Sequence, residues 1–329
     1  MSKNQIVICC GNSLGLENDA TVLSSILLDN IMSVDITVIK GRDSKFTKII
    51  QILKALKCRV IGKRVLFVHL EDLQYRLLWF TNDHYLIPNQ EWFRSKSELF
   101  LNKDKRIKLL CKTHHALEMF KDYKERSNYI GFISPDRYES KISKDYNKFL
   151  HVVGKSDKKG TDRLINVWSN NPEWPTLTII SKIKEHSHKC RELNNVRVIS
   201  THLSEDELKQ EMNLHGVHIC PSEIEGFGLN IVEGLGVGSI VITTDAPPMN
   251  EIITSDVGLL VDCDEAYKQY RGVGYTIKES SLEQSILKVL SLSDEQCQIY
   301  SHNSRSRYEN LARSFEMNTV KIFRQEFNS

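Results

Sequence analysis

Two glutamates, Glu225 and Glu233, flank a turn with two glycines in the stretch Cys220-Pro221-Ser222-Glu223-Ile224-Glu225-Gly226-Phe227-Gly228-Leu229-Asn230-Ile231-Val232-Glu233. The pattern is typical of an apolar strand, a turn and an amphipathic helix. Glycine lets the backbone approach a ligand closely, and a helix that begins near Gly228 directs free N–H groups toward a phosphate. Carboxylates accept hydrogen bonds from sugar hydroxyls and suit an oxocarbenium-like transition state. A sugar–phosphate ligand is one interpretation; a plain crossover with two solvated glutamates is the other.

The context of these glutamates favours the first interpretation. The pattern Glu225-x7-Glu233, within Pro-Ser-x-x-Glu-Gly-Phe-Gly-Leu-x-x-x-Glu, closely resembles the signature of retaining family-four glycosyltransferases, the group 1 glycosyl transferases of the GT-B fold. The similarity runs from Pro221 to Val261 without a gap and includes Gly238–Thr244 and Glu251–Ile253. The resemblance implies an α/β fold of two Rossmann-like domains that face each other across a cleft.

The resemblance also implies an activity, which is transfer of a sugar from a nucleoside diphosphate sugar to a hydroxyl acceptor with retention of configuration. Glu225 would contact the transferred sugar as a catalytic residue, and Glu233 would bind ribose hydroxyls. The diphosphate would be held by the backbone of Gly226, Phe227, Gly228 and Leu229. The sequence offers no obvious separate nucleophile, so we expect the leaving phosphate to help deprotonate the acceptor, with Glu225 as nucleophile the alternative.

A basic loop upstream, His151-Val152-Val153-Gly154-Lys155-Ser156-Asp157-Lys158-Lys159-Gly160, resembles the family's strand and loop with a basic pair. Lys155 stands where the family usually has arginine, and the loop looks one residue shorter. Two fixed cations, Lys155 and Lys159, can neutralise a departing diphosphate that otherwise needs a divalent metal. Lysine cannot grip phosphate bidentately as arginine can. We therefore expect metal-independent donor binding, with no cofactor, and a solvated basic loop is the alternative.

The N-terminal half resembles the family less. The turn Gly11-Asn12-Ser13-Leu14-Gly15 after the first apolar run is a candidate counterpart of the family's glycine-rich loop, with Gly11, Asn12 and Gly15 near phosphate and acceptor. His69 ends an apolar strand, and in the family a histidine of an equivalent strand often lines the active site. A catalytic role and a structural role are both open for it. Lys112 follows another strand end and is expected to face the same cleft.

Short apolar runs alternate with helical patterns along the chain, which indicates a doubly wound α/β fold with parallel sheets. Ligands of such folds bind at the carboxyl ends of the strands. The polar stretch Glu139–Lys148 interrupts this alternation. We therefore predict an acceptor domain over residues 1–145, a donor domain over 146–310, and a C-terminal helix over 311–329 that packs back on the first domain.

Composition excludes several classes of protein. The 329 residues are 40% hydrophobic and 26% charged, which is typical of a folded globular protein, and the net charge of +2 gives no argument for nucleic-acid binding. No run approaches about 18 uncharged apolar residues, and Ile6–Cys10 is too short for the core of a secretion signal. Eight scattered cysteines without a C-x-x-C pair favour free, buried thiols in a reducing compartment. We expect a cytoplasmic protein.

One local cluster is strongly basic. Between Lys45 and Arg64, seven lysines and arginines interleave with apolar residues at helical spacing. An ordinary surface helix with a solvated lysine face is one interpretation. A patch that contacts anionic lipid or an acidic acceptor, and so holds the protein at a membrane surface, is the other. The acceptor class stays open between glycan, glycolipid and protein.

Two stretches imitate metal sites. Asp262-Cys263-Asp264 has the Asp-x-Asp spacing of a different glycosyltransferase fold, but here it follows the end of the matched region, where a variable surface loop is expected. His186-Ser187-His188-x-Cys190 lacks a nearby fourth ligand, which favours a solvated loop over zinc. Other classes of function also stay open: an epimerase, hydrolase or phosphorylase on the same fold, or a catalytically silent sugar-nucleotide-binding subunit.

Overall fold

Each half of the chain builds its own parallel sheet in the computed structural model, which describes residues 3–328. The first unit contains the chain up to Ser134, the short segment Gln269–Gly272 and the residues from Leu311 onward. The second unit contains Pro135–Lys268 and Val273–Asn310. The boundary between the units lies after Ser134, whereas the sequence predicts it at residue 145, and the helix that ends the chain contributes to both units.

The sheet of unit 1 has six parallel strands in the order β2-β1-β3-β4-β5-β6 within the described residues. The strands are β1 (Asn4–Cys10), β2 (Val34–Lys40), β3 (Val65–Glu71), β4 (Asp83–Pro88), β5 (Ile107–Cys111) and β6 (Ser127–Tyr129). Strands β1 and β3 are buried along almost their whole length because their continuous apolar runs are covered on both faces. The switch in strand order falls between β1 and β3, where ligands of such sheets bind.

The helices of unit 1 lie between these strands in the chain. They are α1 (Leu14–Asn30), α2 (Lys45–Val60), α3 (Ser95–Lys103) and α4 (His114–Met119). The C-terminal part of the chain also packs into this unit: the ring centroid of Phe315 lies 4.7 Å from that of Phe132, and that of Phe323 lies 5.4 Å from that of Tyr85. Unit 1 is thus completed by residues distant in sequence.

The main sheet of unit 2 also has six parallel strands, in the order β12-β11-β10-β7-β8-β9 within the described residues. The strands are β7 (Asp145–Gly154), β8 (Leu177–Ser181), β9 (Val196–Ile199), β10 (His215–Cys220), β11 (Ile240–Thr244) and β12 (Gly258–Val261), and a separate hairpin follows with β13 (Cys263–Gln269) and β14 (Gly272–Ile277). The core centres on Trp168, whose ring lies 5.1 Å from those of Phe149 and Trp174. The switch in strand order falls between β7 and β10.

Seven helices cover this sheet or follow it within the described residues. They are α5 (Thr161–Ser169), α6 (Lys184–Lys189), α7 (Glu205–Leu214), α8 (Leu229–Gly236), α9 (Met249–Ile252), α10 (Glu279–Leu290) and α11 (Asp294–Asn328). Helix α6 corrects the expectation of a solvated loop at His186, because that side chain is buried and its Nδ1 lies 2.8 Å from the Ser181 hydroxyl. The hairpin likewise stands where the sequence predicts a variable loop.

Three histidines are buried as neutral side chains and make stability depend on pH. Burial lowers the pKa of His69 and of His218 to about 3, and that of His151 to about 4. The imidazole of His151 lies 2.7 Å from the Ile219 carbonyl and 2.9 Å from the Thr161 hydroxyl. In an unfolded chain a histidine has a pKa of about 6.5, so the unfolded state binds protons in a range where the folded state does not.

We therefore expect these histidines to make their full contribution to the free energy of unfolding above about pH 6.5. That contribution should be lost as the pH drops toward 4. Each such histidine contributes up to about 2 kcal/mol of this loss at pH 5, at about 1.4 kcal/mol per pH unit. Urea unfolding at pH 7 and pH 5 measures it. His218→Gln should reduce the pH dependence, whereas His302→Gln, at an exposed position, should not. Equal stability at both pH values would contradict the assignment.

Candidate functional site

The loops that follow β7 and β10 are joined at the switch point of unit 2. The backbone N–H of Glu223 donates to the carbonyl of Lys158 over 2.9 Å. Gly160 has a φ of 66°, and a Cβ placed on it would lie 2.1 Å from the carbonyl oxygen of Pro221. A side chain at Gly160 would therefore force the loops apart. The glycine fixes the basic loop directly against the loop that carries Glu225.

The start of α8 is held by a second set of contacts. The hydroxyls of Thr243 and Thr244 each donate over 2.7 Å, to the carbonyls of Cys220 and Ser222. Gly228 adopts a left-handed φ of 110° immediately before the helix, a conformation that glycine takes at little cost. The four-residue run Gly226–Leu229 is mostly buried and leads into the helix, whose first N–H groups have no partner within it. The segment thus has the geometry of an anion-binding helix start.

Lys159 and Glu225 form an ion pair at this junction, with only 17% and 13% of their side chains exposed. Burial acts to lower the pKa of Lys159, but the charge and hydrogen bond of Glu225 outweigh it, so the pKa of Lys159 is raised overall. The lysine is therefore a fixed cation at neutral pH. Lys155, the other predicted donor-binding cation, is exposed in the same loop.

Glu233 lies one turn into α8 and is bound by Arg137, a residue for which the sequence gives no signal. Nη1 of Arg137 lies 2.7 Å from Oε1 of Glu233, and Nη2 lies 3.0 Å from Oε2 of Glu205. The arginine side chain is 8% exposed. Burial raises the pKa of Glu233 against the opposing charges of Arg137 and Lys159. No motif marked Arg137, because it lies far from Glu233 in sequence in a polar connecting stretch.

Asn230 is the second residue of α8, and its side chain is unsatisfied. The residue is 9% exposed, and neither Oδ1 nor Nδ2 has a hydrogen-bond partner among the described residues. An unpaired buried amide costs about 1–3 kcal/mol, so an explanation is needed for its presence. The Glu-x7-Glu pattern leaves this position unspecified, so the sequence gives no signal for it.

A cavity of about 580 Å³ lies on the α5 side of the same loops. It is bounded by Thr161 and Asn166 on α5 and by Glu223 and Glu279. Glu225 and Glu233 do not line it, so the predicted donor contacts lie outside this space.

The predicted residues of unit 1 lie near the carboxyl ends of its central strands. Gly11 and Asn12 follow β1, and Asn12 packs so closely on Gly41 that a Cβ there would lie 2.1 Å from Oδ1 of Asn12. Gly15 belongs to the first turn of α1, which begins at Leu14. Ser13 caps this helix through a 3.2 Å bond from the N–H of Leu16.

Lys112 and His69 are both withdrawn from the surface. Nζ of Lys112 lies 2.8 Å from Oδ2 of Asp19, and both side chains are 4% exposed. His69 is fully buried: Nδ1 accepts from the N–H of Gln74 over 3.2 Å, and Nε2 donates to Nδ1 of His84 over 3.2 Å. With both nitrogens hydrogen-bonded and its pKa lowered by burial, His69 is a neutral side chain. The catalytic role predicted for it stays a prediction.

Unit 1 also has a strained residue at the end of β3. Glu71 adopts a φ of 71°, which is unusual for a residue with a side chain. Burial raises the pKa of its carboxyl, against a 3.3 Å hydrogen bond from the amide of Asn89. The sequence gives no signal for Glu71, because its positive φ is evident only from the structure.

A cavity of about 380 Å³ lies at the carboxyl ends of β1 and β2, with Cys10, Lys40 and Arg76 in its lining.

Two structural findings bear on alternative sites. Among residues 3–328, no group of three or more histidine, cysteine, aspartate or glutamate side chains is arranged to hold a metal ion. Asp264, of the Asp-x-Asp stretch, lies 3.3 Å from Nζ of Lys278. Within the same part of the chain, every helix is too short or too polar to cross a bilayer.

Two doubly wound α/β units, each with a six-stranded parallel sheet, have the architecture of the GT-B class of fold. Residues 133–306 match the family described as Glycosyl transferases group 1, and the chain belongs to this family. The expected family and fold class are thereby confirmed.

Curated relatives match part of the chain. The chain is 25% identical over 171 residues to the uncharacterized glycosyltransferase 335 of Sulfolobus islandicus rod-shaped virus 1. This alignment covers 48% of the chain and 51% of the viral protein. It is also 25% identical over 136 residues to the lipopolysaccharide core biosynthesis mannosyltransferase LpsB of Rhizobium meliloti (strain 1021), over 36% of this chain and 38% of LpsB. The chain thus spans about half of the first relative's length and less of the second's.

Solved structures resemble the chain over nearly its whole length. Sucrose-phosphate synthase from Thermosynechococcus elongatus has a TM-score of 0.74 at 14% identity, with 99% of this chain and 100% of the other covered. Anabaena Alr3699/HepE in complex with UDP-glucose has a TM-score of 0.68 at 14% identity, with 97% and 99% covered. At this identity the likeness establishes the fold.

Proposed function

We propose that the chain transfers a hexose-type sugar from a nucleoside diphosphate sugar to a hydroxyl acceptor, with retention of configuration and without a metal ion. The observation that carries the proposal is the mostly buried ion pair between Lys159, in the loop after β7, and Glu225, in the loop that leads into α8. The lysine and the helix start provide positive charge for a diphosphate, and the carboxylate accepts hydrogen bonds from the hydroxyls of a sugar. The complex of HepE with UDP-glucose supports a nucleotide-sugar donor for this fold.

Lys159 is the residue that replaces a metal in this proposal. It would leave Glu225 for the diphosphate when the donor binds, and so offset the negative charge that develops on the leaving group. The N–H groups of Gly226–Leu229 add fixed partial positive charge without any need to reorganise. Lys155 is exposed in the same loop as Lys159 and would contact an outer phosphate oxygen.

Glu225 and Glu233 divide the recognition of hydroxyl groups. When Lys159 moves to the diphosphate, the carboxylate of Glu225 would accept hydrogen bonds from the transferred sugar and stabilise positive charge at its anomeric carbon. Glu233 accepts from ribose hydroxyls, while Arg137 holds its carboxylate in place through the 2.7 Å contact. Arg137 is therefore a positioning residue in this scheme.

The chemical step is a front-face displacement. The bond between the anomeric carbon and the β-phosphate oxygen breaks, and the acceptor oxygen bonds to that carbon on the same face. The acceptor proton passes to the leaving phosphate oxygen, so no protein base is required. His69 of unit 1 is not needed as a base in this scheme: it is neutral, and both of its ring nitrogens are hydrogen-bonded. The strand ends of unit 1, near Gly11 and Asn12, are the proposed acceptor side.

Product stereochemistry tests the proposal. The protein is incubated in EDTA with UDP-, GDP- and ADP-sugars and a panel of glycan and glycolipid acceptors, and proton NMR reports the anomeric configuration of the product. Transfer with retention supports the proposal. An inverted product, a requirement for added metal, or release of free sugar with no transfer to any acceptor would contradict it, and the last result would indicate a hydrolase.

Asn230 gives a prediction in which stability and binding change in opposite directions. We expect Asn230→Leu to raise the free energy of unfolding by about 1–3 kcal/mol, because the unpaired buried amide is removed. If the amide binds the donor diphosphate, nucleotide affinity should fall about 10- to 100-fold. Urea unfolding and titration calorimetry measure the two effects.

Asn213 provides the matched control, since it is a buried asparagine of the same unit whose amide is fully bonded. Its Nδ2 donates to the carbonyls of Arg137 and Lys209, and its Oδ1 accepts from the N–H of Glu139. Asn213→Leu should therefore destabilise the protein. A loss of stability in Asn230→Leu as large as that in Asn213→Leu would show that Asn230 has partners and no ligand role.

A further inference from the structure

Helix α2 exposes apolar side chains on the side that faces solvent. Phe46, Ile49 and Leu53 are 72%, 54% and 56% exposed, and Val60 is 86% exposed. Their spacing places them along one face of the helix. We call Phe46, Ile49, Leu53 and Val60 the apolar stripe. Exposed apolar patches on folded proteins mark interaction surfaces.

The opposite face of α2 packs against the core of unit 1. Ala55 is 2% exposed, and Ile52 and Cys58 pack with it against the cluster that includes Val65 and Phe67. The helix therefore has a complete attachment to its own sheet. The apolar stripe is not needed for that attachment.

The charged residues in α2 and just after it are all of one sign. Residues 44–64 contain seven lysines and arginines and no aspartate or glutamate. Arg64 is bound to Asp83 at 2.9 Å and to Glu326 at 2.6 Å, so its charge is compensated. Lys45, Lys54 and Lys57 are exposed beside the stripe, and no acidic group is paired with them among the residues that the structure describes. These three lysines leave a net positive rim along the apolar stripe.

An exposed tryptophan lies in a loop that is attached to the end of α2. Trp79 is 90% exposed, the most exposed of the large apolar side chains in the described chain. The guanidinium of Arg59, near the end of α2, donates to the carbonyl of Phe80, which ties the loop of Trp79 to the helix. Tryptophan is enriched at the boundary between water and lipid, where its ring is buried and its N–H stays hydrated.

We propose that the apolar stripe, its lysine rim and Trp79 bind the surface of an anionic lipid bilayer. The stripe would enter the boundary between headgroups and acyl chains, and the lysines would lie at the anionic headgroups. A second copy of the chain fits less well, because two such faces would set like charges against each other. A nucleic acid would pair the lysines but leave the stripe exposed to water. The inference is independent of the proposed donor chemistry.

Vesicle co-sedimentation of the full chain tests the inference, with vesicles of phosphatidylcholine alone and of phosphatidylcholine mixed with phosphatidylglycerol. We expect binding to the anionic vesicles at least about tenfold tighter than to the neutral ones, and weakened by high salt. Phe46→Ser with Leu53→Ser, and separately Lys54→Glu with Lys57→Glu, should each lower the partition coefficient about tenfold or more. Quenching of tryptophan fluorescence by brominated lipid should be reduced in Trp79→Phe.

The matched control is Leu287→Ser with Lys288→Glu on α10, where Leu287 is 49% exposed beside an exposed lysine. This variant should bind anionic vesicles as the unaltered protein does. Equal binding to both kinds of vesicle, or an equal loss in the α10 variant, would overturn the inference. So would a dimer in size-exclusion chromatography that Leu53→Ser dissociates while vesicle binding persists, because the stripe would then be a contact between copies.

Discussion

Glu225→Gln is expected to lower kcat about 10²- to 10³-fold, the usual effect of removing one group that stabilises transition-state charge. The amide keeps the shape and hydrogen-bonding reach of the carboxylate but loses its charge, which is needed only as the anomeric carbon becomes positive. A nucleoside diphosphate carries no transferred sugar, so its affinity should stay the same or increase, since Lys159 loses its competing partner.

Steady-state kinetics and calorimetry on the same preparations separate these effects. Glu223→Gln is the matched control, because Glu223 lies in the same loop but its Oε2 accepts from the Tyr267 hydroxyl over 2.9 Å. We expect its kcat to stay within about threefold of the unaltered protein, as for substitutions away from a reacting centre. Full activity in Glu225→Gln, or equal losses in the two variants, would contradict the role given to Glu225.

Lys159→Met is expected to reduce kcat/KM by about 10³-fold, because no metal is proposed to neutralise the leaving diphosphate in its place. The same change leaves Glu225 as a mostly buried charge without its cation, which can cost about 3–5 kcal/mol of stability. Loss of activity could then reflect unfolding rather than chemistry. The double variant Lys159→Met with Glu225→Gln resolves this, since it removes both charges at once.

In the double variant we expect the free energy of unfolding to recover while kcat/KM stays low. Lys158→Met serves as the control for the loop, since Nζ of Lys158 lies 4.0 Å from Glu223 and is not part of the Glu225 pair. Urea unfolding at neutral pH and initial rates with a fixed donor measure the two quantities. Recovery of activity together with stability in the double variant would show that the ion pair is structural and not part of the donor site.

Much of the fold was predictable because the buried strands of parallel sheets have continuous apolar runs. The apolar runs Leu177–Ser181 and Val196–Ile199 predict β8 and β9 with the bounds that the structure has. The runs Gln5–Cys10, Val65–Leu70 and Arg106–Cys111 differ from β1, β3 and β5 by a single residue. Strand β4 was missed although it lies inside its sheet, since it begins with Asp83 and His84 and ends in Pro88. The polarity of His84 is satisfied by His69 and Thr81, and such partners are invisible in one sequence.

The sequence likewise predicts only part of the candidate site. Lys159, Glu225 and Glu233 were predicted because they lie in contiguous motifs around two loops, and the structure brings Lys159 to Glu225. Arg137 could not be predicted, because its contact with Glu233 depends on tertiary packing between distant segments. Asn230 was overlooked for a different reason: an unpaired buried amide is evident only once its surroundings are known.

Binding of nucleoside diphosphates in the presence of EDTA tests the central claim most directly. We predict that one of UDP, GDP and ADP stabilises the protein against heat, by roughly 2.7 kcal/mol at about 100 times its dissociation constant, and that EDTA leaves the effect unchanged. Glu233→Gln should weaken the binding. No stabilisation by any of the three nucleotides, or stabilisation that EDTA abolishes, would contradict a metal-independent donor site around Glu225–Glu233.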